Sequence, residues 1–302
     1  MQTTAVTVRV PATSANLGAG FDCLGLALDL FASITVTFGD REQPPTQDVG
    51  EKMVLTAIRQ TYQRMDRVCP AGLRAVYNVA IPLGRGLGAS AVARVAGVIA
   101  ANEVEGHPLD ENACLTVASD LEGHGDNACP ALFGGLQVCV QARDGDYIRA
   151  ASAYPANVQM AILIPDHSMA TKDARKVLPD NYSKADAVHN VGRAALFVAA
   201  MASSRLDLLD EATQDRIHQQ QRSVLFPPLF EVFAAAKGAG AAAVWLSGAG
   251  SSVAAICTEE HARATSAAML ETLQSFGMTG RSMVTRIARE GAQVAKVELV
   301  RD

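Results

Sequence analysis

The segment Pro82-Leu83-Gly84-Arg85-Gly86-Leu87-Gly88-Ala89-Ser90-Ala91 restricts the fold more than any other, because alternating glycines run without a break into an apolar helix. Such glycines let the backbone enter left-handed conformations and approach a ligand closely. The Ala/Val-rich helix that follows has almost no polar face, so it is buried on most sides and needs packed layers around it. Its first turn offers unpaired N–H groups and the positive end of the helix dipole, which together suit a di- or triphosphate. The two common phosphate loops do not match. No G-x-x-x-x-G-K-[ST] string occurs, and the dinucleotide spacing fails, with the first fitting acid, Glu103, at a helix end. A tight turn with close helix packing explains the same glycines without a ligand, so the loop alone leaves both readings open.

Other strands and helices interleave around this segment. Residues 4–10 alternate and are β-branched, Pro11 closes that strand, and residues 22–30 and Ile34–Phe38 suggest further extended pieces. Helical spacing runs from Asp48 to Met65, and Ala75–Ile81 alternates as a strand. Asp110 and Gly123 bracket another helix as N-cap and stop. Gly134–Gln141 and Val158–Ile164 read as strands, separated by a turn at Arg143-Asp144-Gly145-Asp146. Helices are expected near 185–202, 206–220, 229–239 and 260–276, with strands at Ala241–Leu246 and Ser252–Cys257. Without a regular βα alternation the fold class is α+β in two domains, 1–155 and 156–302. Nearly half of the 302 residues are apolar, enough for a sizeable core, while aromatics are only 5%. A net charge of −5 without a basic run argues against nucleic acid as a partner. No apolar stretch reaches the ~20 residues that a membrane helix needs, and the N-terminus lacks the pattern of a secretory signal. Cys23, Cys69, Cys114, Cys129, Cys139 and Cys257 are scattered, as expected of reduced thiols in a cytoplasmic protein.

Two more polar-and-glycine clusters stand out. Leu246-Ser247-Gly248-Ala249-Gly250-Ser251-Ser252 lies between apolar strands and could be hairpin chemistry alone. Glu122-Gly123-His124-Gly125-Asp126-Asn127 concentrates acid, imidazole and amide after a helix, and an apolar segment through Gly135 would hold it against a core. With Pro11-Ala12-Thr13-Ser14-Ala15-Asn16-Leu17-Gly18-Ala19-Gly20-Phe21-Asp22 near the start, these clusters occur in an order that resembles the GHMP kinase superfamily over essentially the whole chain. The stretch Thr171–Pro179, with Asp186, Asn190, Arg193, His218, Gln219 and Arg222, resembles the homoserine kinase branch of that family most specifically.

The resemblance implies a ribosomal-protein-S5-like N-terminal domain and a ferredoxin-like C-terminal domain. It implies that residues Pro82 through Ala91 wrap the phosphates of ATP, with Ser90 and Glu122 as Mg²⁺ ligands. It also implies L-homoserine as the small-molecule acceptor, in threonine biosynthesis. A zwitterion needs a cation at one end and an acid at the other; Arg175 and Arg222 match the carboxylate, since guanidinium makes two-point contacts, and Asp22 the ammonium. Asn16, His124 and Thr171 would orient the hydroxyl and the γ-phosphate, with His124 open as a general base. A homodimer is the family's habit. Four departures from the pattern are Ala89 for Ser, Gly125 for Pro, Gln220-Gln221 for Pro-Tyr, and Ser251-Ser252 for Pro-Thr; Gly125 is expected to loosen its loop. Two alternatives stay open: a sibling kinase acting on another small alcohol or amino acid, and a non-catalytic sensor of ATP and a metabolite.

Overall fold

A computed structural model describes residues 3–78 and 81–300. The first strands, β1 (Thr4–Ala15) and β2 (Leu24–Gly39), pair antiparallel along their whole length. Val6, Val8 and Val10 point inward in alternation, the period-two pattern read from the sequence. Pro11 does not end β1. The register slips between Pro11 and Ala12, so that the partner strand spends Asp29 and Leu30 in a bulge, and the missing proline N–H is tolerated there. The two extended pieces expected over residues 22–38 are therefore the two sides of one bulged strand.

Helix α1 (Val49–Arg64) begins at Asp48, whose carboxylate accepts from Glu51 N at 2.8 Å. Strand β3 (Gly72–Asn78) pairs with β2 and starts earlier than the alternation suggests; residues 79–80 of the expected strand lie outside the described residues. The apolar helix α2 (Ala89–Val104) is buried along most of its length against β1, α1 and the next helix, α3 (Glu111–Glu122). Asp110 and Gly123 cap α3 as expected, Gly123 in the left-handed region at φ 81°. The short α4 (Ala128–Phe133) follows. Strands β4 (Leu136–Gln141) and β5 (Tyr147–Ser152) then form a hairpin over the expected turn. Arg149-Ala150-Ala151 gives no alternation of apolar residues, which is why β5 could not be read in advance.

The second sheet begins with β6 (Gln159–Pro165), buried throughout. It continues through α5 (Thr171–Lys176), α6 (Lys184–Ala202), α7 (Leu209–Ala212), α8 (Gln219–Arg222), α9 (Leu229–Gly238), β7 (Ala243–Leu246), β8 (Val253–Cys257), α10 (Glu259–Ser275) and β9 (Gly280–Thr285). Its order is β7-β8-β6-β9, with β8 buried at every position. The helix expected over 206–220 is broken, because the buried Asp215 carboxylate accepts from the backbone N–H groups of Ile217, His218 and Gln219 and starts α8 afresh. The last strand, β10 (Gln293–Leu299), returns to the first sheet beside β1, giving the order β10-β1-β2-β4-β5 with β3 also on β2. The architecture is thus α+β with two antiparallel sheets, and the chain passes from the first to the second between Ser152 and Gln159. Among the described residues no helix is long and apolar enough to cross a membrane.

Candidate functional site

One cleft gathers all three glycine- and polar-rich clusters. The loop before α2 forms its floor. Gly84, Gly86 and Gly88 all lie in the left-handed region at φ 68°, 72° and 68°. Position as well as conformation demands glycine there: a Cβ on Gly86 would stand 2.0 Å from Ser247 O, and one on Gly88 1.9 Å from Thr13 Oγ1. The loop carbonyls face back into the protein. Gly84 O accepts from Met169 N at 3.0 Å, Arg85 O from Ser252 N at 3.0 Å, Gly86 O from Ser247 Oγ at 2.6 Å and Leu87 O from Thr13 N at 3.1 Å. No backbone N–H from Gly84 to Ser90 finds an acceptor among the described residues. The loop therefore keeps its N–H donors free of protein partners at the N-terminus of α2, which is the arrangement an anion requires. Leu83, Gly84, Gly86, Gly88, Ala89 and Ser90 line the cleft. Leu87 and Ala91 are buried away from it, and Arg85 donates to Asp166 O at 2.5 Å instead. Val49 and Met53 of α1 add an apolar wall.

Asn16, Asp22, Arg175 and Arg222 line the same cleft. Asp22 and Arg175, 153 positions apart in sequence, form a two-point ion pair, Nη1 to Oδ2 at 3.0 Å and Nη2 to Oδ1 at 2.8 Å. The sequence reading placed them at opposite ends of a zwitterion; here each neutralises the other. Arg222 is 2% exposed and forms no ion pair with a carboxylate among the described residues. Its Nε donates to Ala174 O at 3.1 Å and its Nη1 to Gly248 O at 3.0 Å, which leaves Nη2 without an acceptor among the described residues. Burial and then the nearby Arg175 push this guanidinium down to about 10. Asn16 bridges two turns: Nδ2 donates to Gly248 O at 2.8 Å and Oδ1 accepts from Asp22 N at 3.0 Å. Phe21 lies between the two arginines, 5.5 Å from the Arg175 Cζ and 5.2 Å from the Arg222 Cζ, in cation–π range of both.

Glu122, His124, Asp126 and Asn127 line the cleft as well. Ser90 Oγ donates to Glu122 Oε2 at 3.0 Å, and Arg94 pairs with the other oxygen of that carboxylate. His124 Nδ1 contacts Asp126 Oδ1 closely, and Asn127 Nδ2 donates to Asp126 Oδ1 at 3.2 Å. Burial by itself would lower the His124 imidazole; the charge and hydrogen bond of Asp126, with Asp22 and Glu122 behind, raise it to about 9. Gly125 does not loosen this loop. A Cβ there would stand 2.3 Å from Cys139 Sγ, so the position is closely packed. Thr171, exposed at the start of α5, sits on the rim.

Asn16, Asp22, Ser90, Glu122, His124, Thr171, Arg175 and Arg222 therefore face a single cleft. Phe21, Asp126, Asn127 and His218 also belong to this region. Asp126 and Asn127 stood in a motif already singled out. Phe21 and His218 stand in segments quoted for the resemblance but carry no assigned role there, because their contacts span about two hundred positions.

Residues 52–135 match the family model "GHMP kinases N terminal domain" and residues 194–275 the model "GHMP kinases C terminal". The chain is similar to a homoserine kinase from Deinococcus radiodurans, 41% identical over 95% of this chain and 96% of that one. It is similar to another from a Synechococcus species, 36% identical over 96% and 97%. Among solved structures, a homoserine kinase from Cytophaga hutchinsonii superposes with a TM-score of 0.86 at 29% identity, covering 96% of this chain and 97% of that one.

Proposed function

This chain belongs to the homoserine kinase family of the GHMP kinases, and on that premise we propose that it transfers the γ-phosphoryl group of ATP to the side-chain hydroxyl of L-homoserine, a step of threonine biosynthesis. The observation that carries the acceptor assignment is Arg222, a buried guanidinium with one nitrogen unused and no carboxylate partner, in the same cleft as a ribbon of free N–H donors. A buried cation in no direct ion pair is costly and calls for an anion. An α-carboxylate supplies one. Its neighbouring ammonium is then within the reach of Asp22, whose pairing with Arg175 opens to admit the zwitterion.

The donor N–H groups of Gly84–Ser90 and the α2 dipole hold the triphosphate, and Val49, Met53 and Leu83 offer a flat apolar wall for a purine. Ser90 and Glu122 present a hydroxyl and a carboxylate oxygen 3.0 Å apart, hard donors that fit Mg²⁺ with the remaining positions left to water and phosphate. Bound there, the ion would neutralise phosphate charge. The acceptor oxygen forms a bond to the γ-phosphorus while the bond to the β,γ-bridging oxygen breaks, and ADP leaves with that electron pair. The hydroxyl proton passes to a phosphoryl oxygen. Positioning and charge neutralisation carry most of such a transfer, so no strong base is needed. Asn16, His124 and Thr171 orient the reacting ends. The same reading assigns the ATP-binding unit to residues 1–155 and the second unit to 156–302, with β10 strapping the end of the chain back to the first sheet; cytoplasmic residence accords with its free cysteines.

An acceptor panel tests this reading: pure protein, ATP and Mg²⁺ with homoserine, threonine, serine or mevalonate, followed by ADP release. Turnover with homoserine well above the others is expected, and no turnover with any acceptor despite ATP binding would defeat it. A Mg²⁺ titration of Glu122→Gln should show the half-saturating concentration raised about ten- to a hundredfold. An unchanged Mg²⁺ requirement would remove Glu122 from the ion.

A further inference from the structure

We propose that His218 is a positioning residue: its imidazole bridges the loop that carries Asp22 to Arg222 and so sets the spacing at which the acceptor's ammonium and carboxylate are held. The proposal rests on the acceptor reading above. His218 is completely buried, Asp215 Oδ2 lies 3.8 Å from its Nε2, and its two ring hydrogen bonds each have only one chemical sense. Nε2 lies 2.8 Å from Gly18 O, and a carbonyl can only accept, so Nε2 carries the hydrogen. Arg222 Nη1 lies 3.2 Å from Nδ1, and a guanidinium can only donate, so Nδ1 presents its lone pair. The two partners together impose the neutral tautomer protonated at Nε2. Burial, which holds the imidazole below its ordinary value, acts in the same direction.

The ring is anchored on every side. The His218 backbone N–H donates to Asp215 Oδ2 at 2.8 Å, and Asn190 Nδ2 steadies the same carboxylate at 2.7 Å. Phe21 stacks on the imidazole with centroids 5.2 Å apart while also facing Arg175 and Arg222. Gly18 leaves no slack: a Cβ there would stand 2.4 Å from Thr213 O. One imidazole therefore ties the loop 16–22, which presents Asp22, to the guanidinium beyond it. Arg222 has already spent Nε and Nη1 on protein groups, and the contact from His218 helps aim the remaining Nη2 edge into the cleft.

A crossed pair of substitutions separates this role from a structural one. In His218→Gln the amide nitrogen can still reach Gly18 O, but no acceptor remains at the Nδ1 position. In His218→Asn the amide oxygen replaces Nδ1 and the bond to Gly18 is lost. His218→Gln should raise the KM for homoserine about tenfold, the size of one hydrogen bond to a charged group, with KM for ATP and kcat within about threefold. His218→Asn should keep the homoserine KM within about threefold of the parent while lowering Tm. A homoserine KM unchanged in His218→Gln, or one that rises in step with the ATP KM, overturns the proposal. ¹⁵N NMR of the unmodified protein, with the resonance assigned by its loss in His218→Asn, should show hydrogen on Nε2 alone; a ring protonated at Nδ1 overturns the proposal without reference to activity. Failure of the parent protein to turn over homoserine would instead defeat the acceptor reading.

Discussion

Arg222→Ala should lower kcat/KM for homoserine about a hundredfold or more while leaving the KM for ATP within about threefold, because truncating one partner of a desolvated charge pair costs about 2–5 kcal/mol. The asymmetry follows from position. Arg222 spends its protein hydrogen bonds on Ala174 O, Gly248 O and His218 Nδ1 and makes none to the N–H ribbon of Gly84–Ser90. The same change takes the Arg222 donor from Ala174 O, while Gly248 O keeps Asn16 Nδ2, so Tm should fall by a few degrees. Arg222→Lys keeps a cation of similar reach but not the fork, and it should recover less than a tenth of the lost kcat/KM. Steady-state kinetics with each substrate varied in turn provides the check. Equal losses toward ATP and homoserine would contradict the assignment of Arg222 to the carboxylate.

The second large effect concerns the phosphate loop. Gly86→Ala should depress kcat/KM for ATP about a hundredfold or more, since the added Cβ meets Ser247 O at 2.0 Å and Gly250 N at 2.9 Å, backbone atoms that cannot step aside. Two controls resolve the cause. Gly106 has the same left-handed backbone at φ 78° with nothing within 4 Å of its added Cβ. Gly106→Ala should therefore cost only the ~1–2 kcal/mol of conformational strain in stability, with kinetics unchanged. Gly84→Ala meets the movable Ser168 Oγ at 2.6 Å and should fall between. If Gly86→Ala and Gly106→Ala behaved alike, close approach of the loop to the Ser247 turn would play no part in nucleotide binding.

What sequence conveyed about this molecule divides along physical lines. The Gly84–Gly88 loop and the buried α2 were legible because glycine at left-handed positions and an all-apolar helix each have one economical explanation. Asp110 and Gly123 were legible as helix caps for the same local reason. The bulge opposite Pro11 was not, since it is a property of two strands in register rather than of either alone. The 206–220 segment misled in a similar way: its helical spacing is overridden by the buried Asp215, which captures three backbone donors. Within the site, Asp22, Arg175 and Arg222 could be picked out, but their mutual arrangement could not. The Asp22–Arg175 fork spans 153 positions, and Phe21 and His218 gain their importance only by touching both arginines or their carriers.

The most direct test follows the oxygen itself. Homoserine labelled with ¹⁸O in its side-chain hydroxyl, incubated with the pure protein, ATP and Mg²⁺, should give a phosphomonoester in which ³¹P NMR shows the isotope shift of an ¹⁸O bridge, formed in step with ADP. The same incubation with Arg222→Ala should yield that product about a hundredfold more slowly. ADP released without a phosphomonoester, or a product whose phosphorus carries no ¹⁸O, would contradict transfer to the homoserine hydroxyl in this cleft.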